Sequence, residues 1–180
     1  MRLAGRKSVP GVASSMLAVL ALLVLAGTAY GRADTGAFGP DVNPVSDTVD
    51  DSGTCLGPGA TGTLTGTETV VGRFSETGPP ALSFHAHGTS TLVFRVDYAD
   101  GRYVLGTQVE HFTDIANPPQ FSPSSVINGT GTLYGPGGEV LGQVGFHGVS
   151  HITFRDANGN FQPDPGEITA NVDTFRLTCR

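Results

Sequence analysis

The chain has 180 residues, ten of them Lys or Arg and sixteen Asp or Glu, so charged residues make up only 14% of it. Every acid lies at or beyond Asp34, whereas Arg2, Arg6 and Lys7 sit at the start; after that leader seven cations face sixteen acids, a net charge of −9. This balance excludes a nucleic-acid partner, and because Lys7 is the only lysine it also excludes Schiff-base chemistry and a lysine-dependent phosphate loop downstream.

Residues 1–29 have the form of a secretory signal peptide. Arg2, Arg6 and Lys7 make a basic head, an uncharged apolar run extends from about Val12 through Leu25 to Ala26, and Gly27-Thr28-Ala29 supplies small residues for cleavage. The run is short for a membrane span, and no cysteine sits at the cleavage position to carry a lipid, so no stable membrane anchor is expected. Residues 30–53 carry Gly, Pro, Asp and Asn with little periodicity, which predicts a flexible leader with a negative run at Asp47, Asp50 and Asp51.

Residues 54–180 predict a single antiparallel β domain. Short stretches of period two, rich in Thr, Val and Phe, alternate with Gly, Asn, Asp and Pro from about Leu64 onward. Strands are expected near Leu64–Phe74 and Ala81–His87. Leu92, Phe94, Val96 and Tyr98 then alternate with polar residues up to Asp100-Gly101, a strong hairpin signal leading to Tyr103, Leu105, Thr107, Val109 and His111. A loop from Asp114 to about Ser125 precedes a strand over Val126–Tyr134, and Gly135-Pro136-Gly137-Gly138 turns the chain. The next strand runs through Val140, Val144 and Phe146, with a bulge or bend expected at Gly148, to Ile152 and Phe154; the last covers about Ile168–Cys179. With no helical periodicity beyond the leader, the fold class is all-β. The run of simple hairpins favours an up-and-down barrel, with a two-sheet sandwich as the alternative. The 26 glycines are expected to serve tight turns.

Cys55 and Cys179 bracket this domain and are expected to form a disulfide, since export places them where such bonds persist. His85 and His87 lie two apart in a strand pattern and therefore share a face, as do metal-ligating His-x-His pairs. His147 and His151 are also an even number apart, and His111 falls in register with Leu105 and Val109, so three or four histidines converging inside a barrel would suit Zn²⁺ or Cu²⁺. The competing reading makes all five hydrogen-bonded residues on polar strand faces. Glu110 beside His111, with Asp114 nearby, has the residue types of an acid–base pair, but neighbours in a strand point to opposite faces. In the segment 156–167, Asp156, Asn158, Asn160, Asp164 and Glu167 occupy positions 1, 3, 5, 9 and 12, the ligand spacing of a Ca²⁺ loop. Phe161 stands where that loop wants glycine, and the competing reading is a polar hairpin loop built on Asn158-Gly159.

Phe84-His85-Ala86-His87-Gly88-Thr89, His147, His151-Ile152-Thr153 and Thr178-Cys179-Arg180 resemble small secreted β-proteins of actinobacteria. That resemblance implies export and an all-β fold and brings no activity with it. The catalytic residues stay unassigned. The leading expectation is an extracellular binding or structural module, with a small apolar ligand inside the barrel. Two others remain open: a histidine-based Zn or Cu enzyme of the extracellular space, and a barrel isomerase resembling allene oxide cyclase.

Overall fold

The computed structural model describes residues 34–58, 60–78, 82–157, 164 and 166–180. The expected signal peptide lies outside them. Eight strands follow in chain order: β1 (Asp34–Asp50), β2 (Thr61–Thr77), β3 (Ser83–Tyr98), β4 (Tyr103–Asn117), β5 (Gln120–Phe121), β6 (Ser124–Tyr134), β7 (Val140–Arg155) and β8 (Ile168–Cys179). Each long strand pairs antiparallel with the next in the meander, from β1–β2 through β4–β6 to β7–β8. The two-residue β5 bridges β4 and β7, closing the ring β4–β5–β7–β6, from which the other strands extend. The result is the expected all-β antiparallel barrel, and among the described residues there is no helix.

Period two decides what fills it. In β3 the even positions Leu92, Phe94, Val96 and Tyr98 are buried, and in β4 Val104 and Phe112 continue the same inner face. Val45 and Val49 of β1, Leu64 of β2 and Leu177 of β8 all pack against this one cluster, so the first and last strands of the meander share a core. Among the described residues no ladder joins β1 to β8. The disulfide Cys55–Cys179 instead ties the β1–β2 connection to the end of β8, with Cα atoms 6.0 Å apart and a sequence separation of 124. A crosslink closing so long a loop contributes about 4 to 5 kcal/mol in the chain-entropy account, and it marks a protein of a non-reducing environment. The same connection covers this end of the barrel. Leu56 and Ala60 are buried in the core, Tyr98 donates its hydroxyl to Asp51 (2.8 Å), and Arg102 donates to the Leu56 carbonyl (3.1 Å).

The expected flexible leader over 30–53 is corrected by β1, which pairs with β2 along almost its whole length. Its prolines hid the pattern. Pro40 falls in a register shift between Phe38 and Asp41, and Pro44 sits on a strand at the sheet edge, where a missing N–H is tolerated. Nor does Gly148 introduce a bulge, since β7 keeps its register with β6 and β8 on either side of it.

Glycine has a second use beyond turns. Turn glycines are present, at Gly101 and Gly138 with φ near +86° and +85°. Inside the barrel, however, glycines stand directly across from phenylalanines: Gly36–Phe74, Gly72–Phe38, Gly88–Phe112, Gly106–Phe94, Gly129–Phe146 and Gly148–Phe175. In the first five pairs the ring lies over the space that a Cβ would fill, whereas Phe175 would only touch a Cβ on Gly148, at 3.4 Å. A Cβ on Gly106 would come within 2.6 Å of both Phe94 Cζ and the Thr130 carbonyl oxygen, so neither a ring nor the backbone alone can yield to it. Gly106→Ala is therefore expected to destabilise the protein by about 1 to 3 kcal/mol, measured as a lowered denaturant midpoint with an unchanged slope.

Candidate interior binding site

A cavity of about 1040 Å³ occupies the barrel on the disulfide side of its middle. Leu92 and Phe94 of β3, Ile127 of β6 and Phe146 of β7 form much of its apolar wall, with Phe175 of β8 at its margin, half exposed. Phe146 connects the two sides, its ring centroid 5.9 Å from Phe94 and 6.3 Å from Phe175.

Polar groups sit on that wall by the same parity that buries the apolar ones. Glu68 shares the inner face of β2 with Leu64, and Glu110 and Gln108 share the inner face of β4 with Val104. Ser90, buried on β3, donates its hydroxyl to Glu68 Oε1 at 2.5 Å. Glu110 is only 8% exposed. The Ser125 hydroxyl lies beside the Glu110 carboxylate, and Glu110 Oε1 and Ser125 Oγ are both buried. Burial pushes the Glu110 pKa up, the Ser125 hydroxyl partly offsets this, and the charges of Glu68 and Asp114 raise it further. Among the described residues no Lys, Arg or His lines the cavity, while Asp47, Asp50, Asp51, Glu68, Asp97 and Glu110 do.

Asp114 lies further along the inner face of β4, 7% exposed, and burial alone raises its pKa to about 6. Its folded pKa thus lies above the ordinary carboxylate value, so the native state binds the proton more tightly than the unfolded chain. Stability from this group is full at low pH and falls as pH rises from about 4 through 6. Asp114→Asn should accordingly stabilise the protein by on the order of 2 kcal/mol at pH 7.5 and leave it little changed near pH 4, as read from denaturation curves across that range.

The histidines do not converge. Continuing the inner parity of β3, β4 and β7 puts His85, His87, His111, His147 and His151 on the outer face, which corrects the expectation of an interior metal cluster. His85 and His87 do share a face, with ring centroids 5.9 Å apart. The other three lie at hydrogen-bond distance from neighbouring side chains: His111 Nδ1 from Thr89 Oγ1 (3.2 Å), His147 Nδ1 from Asn128 Oδ1 (2.9 Å) and His151 Nε2 from Thr153 Oγ1 (3.2 Å). Among the described residues no group of three or more His, Cys, Asp or Glu is placed to hold a metal. Of the Ca²⁺-loop set, Asn158 and Asn160 lie outside the described residues. Within the described part, Asp156 is buried with its amide donating to the Pro119 carbonyl, and Glu167 Oε1 accepts from the Ala157 amide at 2.8 Å. Glu110 and His111 point to opposite faces, as strand geometry requires.

No protein-family model, curated protein or solved structure matches the chain, so its function has to be read from the chemistry of the barrel itself.

Proposed function

We propose that the protein is exported and acts as an extracellular binding module whose barrel interior holds a small, largely apolar ligand. The observation that carries this is the cavity: at about 1040 Å³ it has the size of a small-molecule site, and its wall is mainly aliphatic and aromatic with a few convergent polar groups. Well-packed interiors leave few voids larger than a water molecule, so a space of this size within a barrel supports a purpose beyond packing. Export rests on the form of residues 1–29 and agrees with the disulfide.

Titration of the purified mature protein with the neutral dye N-phenyl-1-naphthylamine should give saturable fluorescence enhancement. Ile127→Trp, which extends an indole from the cavity wall, should weaken dye binding about tenfold or more. Folded wild-type protein that gives no saturable signal would refute the reading.

A further inference from the structure

Three of the five histidines are engaged on the outer face, since His111, His147 and His151 each lie at hydrogen-bond distance from a Thr or Asn side chain. His85 and His87 differ. Both are exposed on β3, and among the described residues neither ring makes a side-chain hydrogen bond; the two rings face each other instead, with centroids 5.9 Å apart and planes tilted by 47°. An imidazole nitrogen bonds a Zn or Cu ion at about 2 Å, so two rings that share one ion have centres between about 4.5 and 6.3 Å apart. The observed separation lies inside that range. The backbone beneath is fixed on both sides, because His85 stands opposite Ser75 and Ile115, and His87 opposite Arg73 and Thr113. Only the rotation of two exposed rings is left to be ordered when an ion binds, so the entropy lost on chelation is small.

We infer that His85 and His87 form a chelate on the outside of the barrel for one Cu²⁺ ion, with both imidazoles as ligands and water in the remaining positions. A closed structural site needs four protein ligands. Among the described residues no third His, Cys, Asp or Glu joins the pair, so this site is an open one. Two nitrogen donors suit copper, nickel and zinc, and copper stands highest in the affinity order of these divalent ions, whereas Ca²⁺ and Mg²⁺ require oxygen ligands. In the non-reducing environment that the disulfide marks, copper is present as Cu²⁺. Arg73, exposed across from His87 on β2, sets its charge against any cation and holds the affinity in the micromolar range.

The test is titration of the mature, untagged protein with Cu²⁺ at neutral pH, followed by calorimetry and by electron paramagnetic resonance. Wild type is expected to bind one Cu²⁺ per chain, more tightly than Zn²⁺, with the hyperfine pattern of two imidazole nitrogens. His85→Ala and His87→Ala should each weaken copper binding about tenfold or more, whereas His147→Ala should leave it within about twofold. The nitrogen count is read on wild type and stands even if a variant does not fold. A wild-type spectrum without two imidazole nitrogens, or a copper affinity unchanged in His85→Ala, would overturn the assignment.

Discussion

Phenylalanine rings inside a narrow antiparallel barrel need somewhere to lie, because the residue directly across the ladder points to the same interior and competes for the same volume. The chain resolves the conflict by pairing ring with glycine. Gly106 faces Phe94, Gly88 faces Phe112 and Gly129 faces Phe146, so each ring spreads over its neighbouring strand instead of standing into the centre. Much else follows from this arrangement. Rings laid along the wall, as Phe94 and Phe146 are, leave room in the middle of the barrel for the cavity beside them. Strand-interior glycine is intrinsically unfavourable, and the overlying rings shield the backbone it would otherwise expose.

The second organising feature is electrostatic. Glu68, Glu110 and Asp114 are placed on inner faces by strand parity, and among the described residues no basic side chain lines the cavity beside Glu68 and Glu110. Burying Glu110 and Asp114 in this way raises their pKa and lowers the stability of the barrel near neutral pH. The disulfide, the shared core and the ring-over-glycine pairs supply the stability against which that cost is carried. Functional sites commonly break the rules that the rest of a fold obeys, and this wall is where the present barrel breaks them.

Most of the strand framework was legible in the sequence because alternation is a direct imprint of a half-buried strand. The hairpin at Asp100-Gly101 and the turn at Gly135–Gly138 appear where the turn residues place them. The histidines show where legibility stopped. Parity counted back from Leu92 and Phe94 assigns His85 and His87 to the opposite face, yet in β4 both faces carry apolar residues, with outward Leu105 42% exposed and inward Val104 buried. Alternation there does not reveal which side is the interior, and it sets His111 in the same row as Leu105 and Val109. The inward parity of Glu68 matches Leu64, but a lone acid within a Thr-rich run has the look of solvated surface. Prolines and acids mask the alternation of β1. Only the partner strand makes the pairing visible.

Strands β1 and β8 give the molecule a mechanical polarity. Among the described residues each has a ladder on one side only, and a covalent bond ties the connection after β1 to the end of β8. Backbone amides of such edge strands are expected to open at lower free energy than those of β3 and β4, which are paired on both sides, so hydrogen exchange should sweep inward from the two edges. Phe175 stands on an edge strand, while Ser90 and Glu110 stand on the doubly paired strands. The cavity wall thus joins a side that opens readily to one that stays closed.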